Sequence, residues 1–158
     1  ITTYNITEQM AAYIFSIYGI ATIIGAIVSG IFCSKFQMQK VLGTLFASRT
    51  FIIIFFLTMP KTIITIVFTA IFLGLTGAST ITPTSGIVSK VFGVEKLAML
   101  FGFVFFCHQI GSFFSAWIGG ISVMTTGGYT LIWGASALLS LLAAIVSFLI
   151  KDEKKVQE

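Results

Sequence analysis

Fifty-four consecutive residues, Leu97 to Ile150, carry no formal charge. A soluble domain has roughly a quarter of its residues charged and cannot build a water-facing surface from such a run. The rest of the chain is similar: 57% of the 158 residues are hydrophobic and 9% are charged, and the mean hydropathy is +1.07. Disordered, collagen-like and disulfide-rich classes need high polarity, a glycine at every third position or many cysteines; this chain has two cysteines. The sequence therefore reads as an all-α membrane protein. A helix crossing a hydrocarbon core of ~30 Å takes about 20 residues, so the length holds five or six spans.

The few charges and breakers mark where the spans end. Gln9 to Cys33 is uncharged, and Ser34 to Lys40 is a short polar loop. Val41 to Met59 follows, interrupted by Arg49, and Pro60-Lys61 makes a turn. Thr62 to Ser89 is a third uncharged stretch containing Pro83. The long run from Leu97 exceeds one helix, and Thr125-Thr126-Gly127-Gly128 breaks it near its middle. Five transmembrane helices are expected, over residues 9–33, 41–59, 62–89, 98–124 and 129–150, with a polar tail over 151–158.

Lys35, Lys40, Lys90, Lys96, Lys151, Lys154 and Lys155 fall on one side of this arrangement and only Lys61 on the other. The positive-inside rule places the larger set, and the C-terminus, in the cytoplasm. Tyr4, Tyr129 and Trp133 then lie near the outer interface. Five spans leave Ile1 outside, and no signal peptide or initiating methionine precedes it in the sequence given. The expectation is that these residues belong to a longer protein.

A helix in a bundle shows a small-residue or polar stripe that a lipid-immersed helix lacks. In the first span Tyr18, Thr22, Gly25 and Ser29 share one face, opposite Ile20, Ile24, Ile27 and Ile31. In the fourth, His108, Ser112, Ser115 and Gly119 align, and Gly111, Ser115 and Gly119 form a small-xxx-small ladder; Phe103, Phe106, Ile110, Phe113 and Trp117 cover the reverse. The last span carries a milder stripe of Ser136, Ser140, Ala144 and Ser147. The inner half of the third, Thr76 to Gly86, is rich in hydroxyls and contains Pro83 as an expected kink. Those hydroxyls either bond back to their own helix or line a water-accessible cavity.

Metal clusters, nucleophile triads and phosphate loops do not occur in the sequence, and no span contains an acid. Cys33 and Cys107 differ in depth by about 15 Å and are not expected to pair. Neither an enzyme nor a cofactor or metal is expected. Two ionisable groups lie deep, which inside a membrane suggests function. His108 is about 15 Å into its helix, on the polar face and beside Gln109. It serves either as a proton acceptor or cation for an anionic substrate, or as a neutral hydrogen-bonding group between helices. Arg49, ~12 Å deep, either reaches the interface, caps carbonyls, meets a carboxylate elsewhere, or binds an anionic substrate.

The segment Gly30-Ile-Phe-Cys-Ser34-Lys35-Phe36-Gln37-Met38-Gln39-Lys40 resembles the major facilitator signature G-x-x-x-D-R-x-G-R-R. Gly30 and Lys35 match and Lys40 is close, whereas Ser34 replaces the acid and Gln37 the glycine. TITPTSGIVSKVFG (80–93), LFGFVFFCHQIGSFFSAWIGG (100–120) and TTGGYTLIW (125–133) follow at matching spacing. These are similar to the tenth helix, the eleventh helix and the turn into the twelfth in bacterial permeases of the monocarboxylate-transporter type.

That resemblance implies helices eight to twelve, within the C-terminal six-helix half of a twelve-helix fold. The N-terminal half and seventh helix would be partners, along with membrane lipid and a small-molecule substrate; nucleic acid is not expected. It further implies substrate contact or proton coupling at His108, Gln109, Ser112, Thr76, Ser79 and Thr80, a lesser claim for Arg49 on an outer helix, and a cytoplasmic gate at Gly30, Ser34, Lys35 and Lys40. The expected protein is a bacterial inner-membrane permease or symporter for a small organic anion, working by alternating access. The alternative is a polytopic membrane protein without transport activity, such as a receptor or assembly partner.

Overall fold

A computed structural model describes residues 7–150; Tyr4, the tail lysines Lys151, Lys154 and Lys155, and the rest of 151–158 lie outside the described residues. All regular structure among them is helical: α1 (Glu8–Lys35), α2 (Met38–Thr58), α3 (Ile63–Gly77), a 3-10 turn (Ala78–Thr80), α4 (Ile81–Phe92), α5 (Leu97–Thr126) and α6 (Thr130–Leu149). With α3 and α4 counted as one span, five helices are long and apolar enough to cross a membrane. They overlap the five expected spans, with ends displaced by up to three residues.

Local chemistry explains those ends. Thr7 and Thr62 cap α1 and α3, each accepting a hydrogen bond from a first-turn amide. Gly93 and Gly127, at φ 84° and 70°, end α4 and α5 in conformations that a side chain would disfavour. Lys61 Nζ donates to the Phe56 and Met59 carbonyls at the C-terminus of α2 and lies 4.2 Å from the Phe56 ring centroid. Phe56 in turn packs on Trp133 at 5.0 Å between centroids. One end of the bundle thus gathers the lysine and aromatics expected of a membrane interface.

The third span bends, but the irregular backbone lies over Ala78–Thr80, one turn before Pro83. Pro83 has no N–H to offer the carbonyl four residues back, and its ring crowds that carbonyl. The carbonyl is that of Ser79, and it accepts the Ser29 hydroxyl of α1 at 2.6 Å instead. Ser29 and Ser79 are 2% and 0% exposed, so water does not meet this need. Pro83 sits in the first turn of α4, where a missing donor is tolerated.

α1 packs closely on α3 through Ala21, Gly25 and Ser29, its three buried residues. A Cβ on Gly25 would stand 2.7 Å from the Ser79 hydroxyl oxygen, and one on Gly74 would stand 2.6 Å from the Tyr18 carbonyl oxygen. Those glycines let the two backbones touch. The opposite face of α1, with Ile20, Ile24, Ile27 and Ile31, is exposed as its pattern predicts.

The second close pair is α2 with α6. Ala137, Ser140, Ala144 and Ser147 are buried there, and Phe148 lies against Gly43. α5 differs, since Gly119 and Ser122 are its only buried residues among those described. A Cβ on Gly111 or Gly119 would meet nothing within 4 Å, so the expected ladder does not carry a close crossing within this chain.

Candidate functional site

A cavity of about 470 Å³ opens between α1, α2, the bend in the third span and α5. Its polar lining consists of Tyr18 and Thr22 from α1, Arg49 from α2, Thr80 and Thr84 from the bend and α4, and His108 from α5. Phe46, Phe101 and Phe105 supply an apolar wall, with the Phe105 ring 5.9 Å from the imidazole. No lining residue is acidic.

Helix geometry sets the depth. Arg49 stands eleven residues into α2 and His108 eleven residues into α5. At 1.5 Å per residue both lie about 16 Å from the loop-side ends of their helices, close to the middle of a ~30 Å core. Because α2 begins at Met38, Arg49 is deeper than the sequence spacing suggested. Its side chain is half-buried and faces the same space as His108.

Gly77 provides the local fit beside the guanidinium. A Cβ there would lie 3.2 Å from the Tyr18 hydroxyl, 3.9 Å from the Thr22 hydroxyl and 4.0 Å from Arg49 Nη2. Three hydrogen-bonding groups from two helices therefore converge on a residue of the third span that has no side chain. Thr22 and Thr84 also donate to carbonyls of their own helices, at 2.9 and 2.7 Å, while each hydroxyl oxygen keeps lone pairs available. Chemically, the cavity presents an arginine, a phenol and an imidazole to a solute beside an apolar wall. That set suits a small anion with an apolar portion.

The Major Facilitator Superfamily family model matches residues 1–158. The chain belongs to the Major Facilitator Superfamily. No curated protein and no solved structure matches it. Membership makes the chain an integral membrane protein of a transporter family, and the five long apolar helices agree.

Within this superfamily member, the expected site residues separate into two groups. Arg49, Thr80 and His108 come together in the cavity. Gln109 and Ser112 are exposed on α5 outside its lining, and the Ser112 hydroxyl donates to the His108 carbonyl at 3.0 Å. Thr76 is buried and donates to the Phe72 and Leu73 carbonyls. Ser79 donates to the Leu75 carbonyl and belongs to the α1–α3 contact. Thus four of the expected polar residues do not line this cavity, whereas Arg49, which the resemblance ranks lower, does.

Tyr18, Thr22 and Thr84 join the site although sequence reasoning did not select them. The i, i+4 spacing of Tyr18 and Thr22, and of Thr80 and Thr84, was the available signal. Of the gate residues, Lys35 and Lys40 border a separate groove between α1 and α2, and the Ser34 hydroxyl, outside its lining, donates to the Ile31 carbonyl at 2.7 Å. A Cβ on Gly30 would meet nothing within 4 Å.

Proposed function

We propose that this superfamily member contributes helices eight to twelve to a bacterial inner-membrane transporter, with its C-terminus in the cytoplasm. In this reading it moves a small organic anion such as a monocarboxylate by alternating access. The observation that carries the proposal is the convergence of Arg49 and His108 at equal depth in a cavity without acidic lining residues. Arg49 is the fixed cation and holds one face of the carboxylate, because a guanidinium offers paired N–H donors to two oxygens. Tyr18 and Thr80 bond the oxygens' remaining lone pairs, and the phenylalanines receive the apolar remainder. His108 adds a second positive charge only when protonated, so a proton and an anion enter the site together.

The full-length protein in proteoliposomes is expected to accumulate labelled lactate or pyruvate when an inward proton gradient is imposed. Arg49→Gln should abolish saturable uptake, since a charge-assisted interaction of ~2–3 kcal/mol converts to a roughly 30- to 150-fold loss of affinity. His108→Gln should retain counterflow exchange at fixed pH but lose acceleration by the gradient. Unchanged uptake in Arg49→Gln would refute the anion site, and intact gradient dependence in His108→Gln would refute coupling through the imidazole.

A further inference from the structure

The short connection through Phe36 and Gln37 leaves a groove of about 520 Å³ between the last turns of α1 and the first turns of α2. Lys35 and Lys40 stand at its rim, both exposed, and no lining residue is acidic. Below them Phe32, Phe36, Val41 and Leu45 form the walls. Phe32 and Phe36 pack ring near ring at 5.9 Å between centroids, so aromatic rings make up part of the apolar side. The groove therefore has a cationic end and an apolar end, and it lies where two membrane-spanning helices terminate. That is the depth at which phospholipid phosphates meet acyl chains.

We propose that this groove binds an anionic phospholipid, with its phosphate between Lys35 and Lys40 and an acyl chain along Phe32, Phe36, Val41 and Leu45. Two ammonium groups facing one space repel each other and attract a shared anion. Inorganic phosphate satisfies that charge but leaves the aromatic wall uncovered; a phospholipid satisfies both. The Thr44 hydroxyl, which donates to the Lys40 carbonyl at 2.8 Å, still has oxygen lone pairs for a headgroup hydroxyl. This site is separate from the Arg49 cavity and does not depend on which solute is carried.

Native mass spectrometry of the full-length protein, released from micelles containing equal phosphatidylglycerol and phosphatidylcholine, tests the proposal. The unmodified protein is expected to retain phosphatidylglycerol preferentially. In the K35Q/K40Q double variant that preference should fall about tenfold, each lysine contributing a few-fold. K35R/K40R should keep it, and K96Q, outside the groove, should leave it unchanged. The single variants K35Q and K40Q, each with an intermediate loss, cover the case in which the double variant does not fold. Equal retention by the unmodified protein and K35Q/K40Q would overturn the proposal. Displacement of phosphatidylglycerol by inorganic phosphate would do so as well, because the walls would then contribute nothing. Protection of both lysines from amine labelling in phosphatidylcholine alone would show that another part of the protein occupies the groove, and would also overturn it.

Discussion

Ser29→Ala should destabilise the protein more than the loss of one surface hydroxyl would, because the Ser79 carbonyl it serves is enclosed and cannot receive an amide from Pro83. The 2.6 Å bond joins two fully enclosed groups, and Pro83 removes the amide that would otherwise complete the helix. Interhelical hydrogen bonds inside membranes average ~0.6 kcal/mol and reach about 1.7. This one belongs near the upper value, since both groups are shut off from water. We expect about 1.5 kcal/mol, roughly a tenfold change in the folding equilibrium. The assay is reversible unfolding of the full-length protein in mixed micelles at increasing dodecyl sulfate, followed by tryptophan fluorescence. The decisive comparison is a double-mutant cycle with Pro83→Ala. Residue 83 then regains an N–H that can reach the Ser79 carbonyl, so removal of the Ser29 hydroxyl should cost only about 0.5 kcal/mol. The expected coupling is therefore ~1 kcal/mol. Additivity within about 0.3–0.5 kcal/mol would refute the idea that Ser29 replaces the bond lost to proline.

Three further outcomes follow from the packing. Gly25→Leu should cost at least ~2 kcal/mol in the same unfolding assay, since its side chain would meet the Leu75 backbone and not a movable side-chain tip. Thr69 is 4% exposed, and its Oγ1 has no hydrogen-bond partner in the structure; Thr69→Val should therefore leave stability equal or raise it by about 0.5–1 kcal/mol, and a clear loss would show that the hydroxyl has a partner. Gly77→Ala should separate binding from folding: at φ −61° the backbone accepts alanine, so the unfolding midpoint should hold or rise, while the methyl presses on the Tyr18 hydroxyl and the KM for anion uptake increases several-fold. A KM equal to that of the unmodified protein would show that the Tyr18 and Arg49 positions do not matter to the solute.

The helices were legible because charge is costly inside lipid, so the length of an uncharged run is itself a measure of a span. The lipid face of α1 was readable for the same reason: isoleucines at helical spacing left a single stripe for contact. Faces did not reveal which stripe meets which. Ser79 and Thr76 share a polar stretch with Thr80, yet the bend turns the first two into the α1 contact and back-bonds, and only Thr80 into the cavity. Arg49 ranked low because the resemblance puts it on an outer helix, whereas in the structure it lines the same cavity as His108. Gly77 carried no visible signal, since a glycine's use depends on what approaches it from other helices.

The tight seating of Gly25 and Gly74 has a mechanical consequence. Two backbones in contact cannot slide or separate without breaking the whole α1–α3 seam, so Tyr18, Thr22 and Thr80 travel together as one jaw of a vise. Among the described residues α5 packs less closely on the other helices, and it carries His108. Spin labels on α1 and α3 should thus keep one distance through the transport cycle, while a label on α5 shifts relative to both; a variable α1–α3 distance would show the vise to be hinged elsewhere. Under the proposed anion reading, a movement of α5 that carries His108 toward Arg49 of α2 is favoured by the anion held between them.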